Sequence, residues 1–222
     1  MINIWGLVLT VVFFELAKKL KKFKLFKKIP PMMSAGIIII ILIKVFHISY
    51  ESYNESACFF TLLLGPATIA LAYPLCENIE LLTKNKRAVY FGFLAATLTT
   101  LVATYFLGKI FHSDWEIIIS TMPKSVTTPI AVEISKAIGG IPELTACLVV
   151  LTGIYGALFG HKILKLCKIK SDIAIGLAIG AASHVLGTSS CVEKKRERQI
   201  VMATLALIII GILTTVFCTF LF

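Results

Sequence analysis

The sequence predicts an all-α polytopic membrane protein, and three observations predict it. Apolar residues make up 58% of the 222 and charged residues only 15%, with a mean hydropathy of +0.91; soluble domains run near a quarter charged. Uncharged runs close to membrane-crossing length recur along the whole chain. Lys and Arg gather in short clusters beside those runs. A chain this apolar has too little polar surface to cover itself in water, which excludes a soluble enzyme, a nucleic-acid-binding domain and a disordered regulator. The net charge of +10 then points to a membrane face rich in anionic lipid, not to nucleic acid.

A helix needs about 20 apolar residues to cross the hydrocarbon layer. The run 2–17 leads straight into Lys18, with no basic segment before it and no small-residue cleavage pattern, so it is expected as a short, retained first helix. The stretch KKLKKFKLFKK at 18–28 holds seven lysines and no acid. It belongs inside, which puts the N-terminus outside. Its apolar members Leu20, Phe23 and Phe26 recur every three residues, as in a basic turn lying along the lipid surface. The second helix is expected over 29–43. The connection around Glu51 and Glu55 carries no Lys or Arg from 46 to 56 and reads as outside. A third segment covers 57–76, the basic TKNKR at 83–87 reads as inside, and a fourth covers 88–108. KIFHSDWE at 109–116 is mixed in charge and falls outside.

From here the charge rule discriminates. If 115–136 crossed fully, Lys162, Lys165, Lys168 and Lys170 would end up outside. If it enters from outside and returns there, the run 144–160 carries the chain inward and the four lysines are correctly placed. The run 173–192 ends at the basic EKKRER (193–198), so it too returns to the face it entered from. The last helix, 199–222, leaves the C-terminus outside. The sequence thus reads as about six transmembrane helices plus two re-entrant or broken helical hairpins, with eight crossings as the alternative. All of it forms one integral membrane domain, 1–222: N-terminal helices over 1–56 with a basic cytoplasmic loop at 18–28, then a core over 57–222. Pro123 and Pro129 mark the break in the first hairpin and Gly187 the break in the second. A weak repeat relates 59–75 to 116–132, each with an apolar lead-in, a Pro, small hydroxyl residues and a second Pro. Non-helical backbone at membrane depth survives only where protein or a water-filled cavity surrounds it, and transporters build binding sites from it.

PKSVTTPIA at 123–131 carries the most chemistry. Thr128 followed by Pro129 is a helix start, a hydroxyl N-cap and then a proline whose missing N–H costs nothing there. The preceding break leaves backbone N–H groups free, with the partial positive charge of a helix N-terminus. Ser125, Thr127 and Thr128 add hydroxyls and Lys124 a full charge, a set that suits a small carboxylate. The alternative is a kinked helix whose hydroxyls bond back to their own backbone. In GLAIGAASHVLGTSS at 176–190, His184 is the one histidine inside an apolar run, followed by Gly187, Thr188 and Ser189. It is either a proton-carrying group, with an unperturbed pKa of about 6.5, or a neutral ring bonded to a carbonyl. Glu133 either takes part in ion coupling or pairs with Lys136. Gly176 and Gly180, like Gly156 and Gly160, have the spacing of close helix packing, and Trp5 and Trp115 lie where interfacial anchors belong. The six cysteines are scattered without a CxxC, so neither a metal site, a cofactor nor a disulfide framework is expected. No nucleophile–base pair, GxSxG elbow or phosphate loop occurs, so no enzyme activity and no ATP-driven transport is expected.

From Gly65 onward the chain resembles the LrgB/CidB family of bacterial membrane proteins. The matches are GPATIALAYPL at 65–75, MPKSVTTPIAVEIS at 122–135, IGGIPELTACLVVLTGIYGALFG at 138–160 and IAIGLAIGAASHVLGTS at 173–189. Where many members read HGIGTA, this chain reads HVLGTSSCVEKKRER. The resemblance implies one of two activities. One is antiholin-like modulation of murein hydrolase export and autolysis in the cell membrane, beside a small LrgA/CidA-like partner. The other is carriage of short carboxylates such as glycolate, glycerate or pyruvate. The residues side with the second: a secondary transporter holding a small carboxylate anion between the break at Lys124, Ser125, Thr127 and Thr128 and the break at His184, Gly187, Thr188 and Ser189, with Glu133 or His184 as the coupling group. A homodimer would give a moving unit the fixed scaffold it needs, although nothing in the sequence itself specifies one.

Overall fold

The computed structural model describes residues 4–22, 31–70, 72–78, 80, 86–193 and 196–221. Regular structure among them is helical throughout, and the chain is a multi-pass all-α membrane protein. It divides into two compact units, Met1–Leu71 and Ala72–Phe222.

The first unit holds α1 (Trp5–Leu20), α2 (Pro31–Val45), α3 (Tyr50–Ser56) and α4 (Cys58–Ala70). Helix α1 runs three residues past the expected end, and within it Lys18 pairs with Glu15 one turn earlier, at 2.7 Å; most of the basic stretch beyond it lies outside the described residues. The segment around Glu51 is helical, started by Ser49, whose hydroxyl accepts from the Ser52 N–H at 3.2 Å. Gly6 lets α1 meet α3: its N–H donates to Ser56 Oγ at 3.1 Å, and a Cβ there would lie 2.2 Å from the same oxygen. Helix α4 carries Pro66 inside it, within the weak repeat noted above, and Leu71 after it lies outside the described residues.

The second unit holds α5 (Ala72–Glu77), α6 (Lys86–Ile110), α7 (Trp115–Thr121), a 3-10 turn (Met122–Ser125), α8 (Thr128–Ala137), α9 (Pro142–Leu166), α10 (Asp172–Glu193) and α11 (Glu197–Leu221). Among the described residues, four helices are long and apolar enough to cross a membrane: α6, α9, α10 over Asp172–Val192, and α11. One of these four turns back. A straight helix of 22 residues would separate its ends by roughly 33 Å. Yet Asp172, at the start of α10, accepts from Gln199 at 2.6 Å and lies 3.7 Å from Arg196, both beyond its end. Gly176 faces Gln199 and Gly180 faces Ala203, so the entering arm of α10 runs parallel to α11. That is possible only if 185–193 returns toward the starting face. The reversal is at His184, whose backbone adopts φ 41°, ψ −135°.

The break is therefore three residues before the expected Gly187. Gly187 serves instead to let the two arms close, since a Cβ there would come 2.6 Å from Ser183 Cβ and 2.9 Å from Ile179 O. The first hairpin is α7, the turn and α8. Gly108 of α6 packs on Ile118 and Thr104 on Lys124, so α7 runs back alongside α6. Helix α8 then returns: the N–H of Ile141 beyond it reaches Ser120 Oγ at 2.7 Å. Neither α7 nor α8, at 7 and 10 residues, is long enough to cross.

In this unit α6, α9 and α11 cross and the two hairpins enter from opposite faces. Lys86, Lys165, Lys168, Lys170 and Arg196 mark one face, which we call the basic face; the 137–141 loop and the end of α11 mark the other. Helices α6 and α9, each 25 residues, run in opposite directions, and each is followed by a hairpin that turns back to the face it came from. This is an inverted pair of helix-plus-hairpin elements, an architecture secondary transporters use. Helix α11 packs against both pairs, with Met202, Ala203, Leu205 and Ala206 wholly buried.

Candidate functional site

The tips of the two hairpins meet one cleft beside the middle of α9. The first tip forms because Pro123 tightens the chain into a 3-10 turn, after which Val126 is extended (φ −99°, ψ 177°) and Thr127 caps α8. Helix α8 thus starts one residue earlier than expected, with Thr127 at the N-cap and Pro129 at the second helical position. The Thr127 hydroxyl makes no capping bond. Buried hydroxyls hold the base of this hairpin: Thr145 Oγ1 of α9 lies 2.8 Å from the Ser120 carbonyl and 2.7 Å from Ser135 Oγ, joining both arms to α9.

The second tip is set by contacts to α9. His184 Nε2–H donates to the Val149 carbonyl at 2.9 Å. The ring lies against Gly153, where a Cβ would come within 2.6 Å of Nε2. One residue earlier, Ser183 occupies the space over Gly156, where a Cβ would come 1.4 Å from its Oγ.

The cleft has a volume of about 500 Å³. The first hairpin contributes Lys124 and Ser125, the second Ala178, Ile179, Ala182 and Ser183. Helix α6 adds Thr99, Thr100 and Thr104, and α9 adds Thr152, Tyr155, Gly156 and Gly160. The walls are apolar apart from hydroxyls and one amine, the usual make-up of a small-molecule site. Lys124 Nζ donates to Thr104 Oγ1. Ser125 is 7% exposed and its hydroxyl has no partner among the described residues. Thr100 and Thr152 bond back to the carbonyls of Ala96 and Leu148.

The residues singled out in the sequence divide accordingly. Lys124 and Ser125 line the cleft; Thr127, Thr128, His184, Gly187, Thr188 and Ser189 do not. Thr188 and Ser189 spend their hydroxyl protons on the carbonyls of His184 and Leu186, at 3.0 and 2.8 Å, the back-bonding alternative. Glu133 is exposed and pairs with Lys136 at 2.8 Å. Sequence reading missed Thr104, Thr152 and Ser183. One signal exists for the first: Thr97, Thr100 and Thr104 recur at helical spacing on one face of an otherwise apolar helix. Among the described residues, no group of three or more His, Cys, Asp or Glu is placed to hold a metal ion.

Comparison with known proteins matches residues 10–222 to the model of the LrgB-like family. YxaC of Bacillus subtilis strain 168 is 31% identical over 216 residues, covering 95% of this chain and 94% of YxaC. The antiholin-like protein LrgB of Bacillus mycoides strain KBAB4 is 31% identical, over 96% of this chain and 92% of that protein. The antiholin-like protein LrgB of Bacillus subtilis strain 168 is 32% identical, over 95% and 91%. No solved structure matches the chain.

Proposed function

This chain belongs to the LrgB-like family, and we propose that it is a secondary carrier of small monocarboxylates, holding the anion in the central cleft against Lys124 and Ser125. One observation supports this above the others. Two broken hairpins from opposite faces end at one cleft, and the tip of the first brings to its wall an amine and the hydroxyl of Ser125, which has no partner among the described residues. A carboxylate satisfies both groups at once. Apolar walls make the attraction stronger than it is in water. The inverted pairs give a route to alternating access, in which one helix-plus-hairpin element moves against the rest. By the charge rule the basic face is cytoplasmic. Neither expected coupling group touches the anion in this reading: Glu133 pairs with Lys136, and His184 is committed to Val149.

A second reading has its own support. Two of the relatives are named antiholin-like, and those names favour a membrane regulator of murein hydrolase export and autolysis more directly than they favour a carrier. Such a regulator would act beside a small LrgA/CidA-like partner. Uptake of labelled glycolate and pyruvate into proteoliposomes separates the readings. The carrier takes up at least one of them, and Lys124→Met and Ser125→Ala each slow it by about tenfold or more, the worth of one charge-assisted hydrogen bond. No uptake of either anion under any proton or sodium gradient overturns the carrier and leaves the regulator.

A further inference from the structure

A second, smaller cavity of about 220 Å³ lies toward the face opposite the basic one. Phe111, Ser113 and Thr121 line its outer part. Its inner wall is Thr104, Leu107 and Lys124, and the same three residues line the central cleft. The Lys124–Thr104 hydrogen bond therefore stands at the seam between the two spaces.

Both groups in that bond are poised for an anion. Thr97 and Thr100, earlier on the same helix face, donate to the carbonyls four residues back. Thr104 does not; its oxygen accepts from Lys124, and its own proton has no acceptor among the described residues. Thr104 is 4% exposed. The Lys124 amine has no carboxylate within ion-pair distance among the described residues. Beyond the bond between them, the amine has protons to spare and the buried hydroxyl has one, and among the described residues no acceptor takes them.

We propose that Lys124 and Thr104 together form an anion station shared by the two cavities, with the smaller cavity as the vestibule through which a small monocarboxylate reaches it. Thr104 is then a substrate-contacting residue, and Ser113 lies on the entry path. The proposal rests on the reading of the central cleft as an anion site.

The test uses the full chain without its native cysteines, in proteoliposomes, with glycolate as probe and pyruvate as the second probe. Ser113→Cys should react with a membrane-impermeant thiol reagent applied from the vestibule side. Glycolate should slow that reaction, and Thr104→Val should raise the glycolate concentration needed by about tenfold, as loss of one hydrogen bond to a charged group does. Thr104→Ser restores the hydroxyl and should restore protection, which separates a lost contact from a misfolded chain. An unreactive Ser113→Cys, or protection unchanged in Thr104→Val, overturns the station. Uptake intact with protection unchanged removes the station and keeps the carrier. Protection that depends on Thr104 in a protein showing no uptake removes the carrier and keeps the station.

Discussion

The side-chain amide of Gln199 donates to Asp172 Oδ1 at 2.6 Å, tying the first residue of the second hairpin to the first turn of the helix that follows it. The same glutamine offers its oxygen to His161 Nε2 at 3.3 Å, so the end of α9 joins the closure. Gln199 is wholly buried. Gln199→Leu should therefore remove both bonds, leave the half-exposed Asp172 with Arg196 at 3.7 Å, and lower stability by about 0.5–1.5 kcal/mol. Asp172→Asn keeps an acceptor oxygen and should cost less. Thermal melting in detergent reads both; a Gln199→Leu protein that melts like the wild type would mean the hairpin mouth is held elsewhere.

Three glycines on one stripe of α9 separate close packing from mere spacing. A Cβ on Gly156 would come 1.4 Å from Ser183 Oγ, and one on Gly153 would come 2.6 Å from the His184 ring. Gly160 has only Ile179 at 3.8 Å, an ordinary contact. Gly156→Ala should cost about 1–3 kcal/mol by overpacking, Gly153→Ala should shift the ring off the Val149 carbonyl, and Gly160→Ala should stay within about 0.5 kcal/mol of wild type. Melting temperatures of the three variants give the order directly. Equal losses at 156 and 160 would contradict the packing described for the second tip.

Because both hairpins return to the face they enter from, thiol labelling should sort residues by face and not by chain order. In a background without native cysteines, Asp114→Cys and Lys136→Cys should react from the same side of the membrane, although 22 positions and a hairpin separate them. Lys170→Cys and Arg196→Cys should both react from the other side. Labelling of Asp114→Cys and Lys136→Cys from opposite sides would restore the eight-crossing arrangement.

The hairpins were legible because charge sidedness adds up along the whole chain: one misplaced lysine cluster at 162–170 requires a reversal somewhere before it. The position of the second reversal was not legible. A histidine at positive φ costs about 1–3 kcal/mol, and what holds it there is the Val149 carbonyl together with the space left by Gly153, both on another helix. Gly187 looks like a breaker from its neighbours alone, yet its role is to let Ser183 and Ile179 come close. The cleft divides in the same way. Lys124 and Ser125 announce themselves by sitting in a prolyl break. Thr104, Thr152 and Ser183 sit in unbroken helical sequence, and only the meeting of α6, α9 and the second tip brings them to one wall.

The base of the first hairpin offers a test of how buried hydroxyls share the work of holding a re-entrant segment. Ser120, Ser135 and Thr145 are all wholly buried. Thr145 Oγ1 lies between the Ser120 carbonyl and the Ser135 hydroxyl, and Gly140 permits this, since a Cβ there would come 2.6 Å from Ser135 Oγ and 2.9 Å from Ser120 Oγ. Thr145→Val keeps the shape and removes the hydroxyl, leaving two buried polar groups short of a partner, at about 1–3 kcal/mol. Ser135→Ala removes one of those groups. The double variant should then lose less than the two single losses added, with a coupling of about 0.5–1.5 kcal/mol, because once Thr145 is valine the Ser135 hydroxyl is a burden. A denaturant or thermal series on wild type, both singles and the double measures this. Strict additivity would mean the two hydroxyls act independently, and the junction of α7, α8 and α9 would then rest on the Thr145–Ser120 and Ser120–Ile141 bonds and on packing.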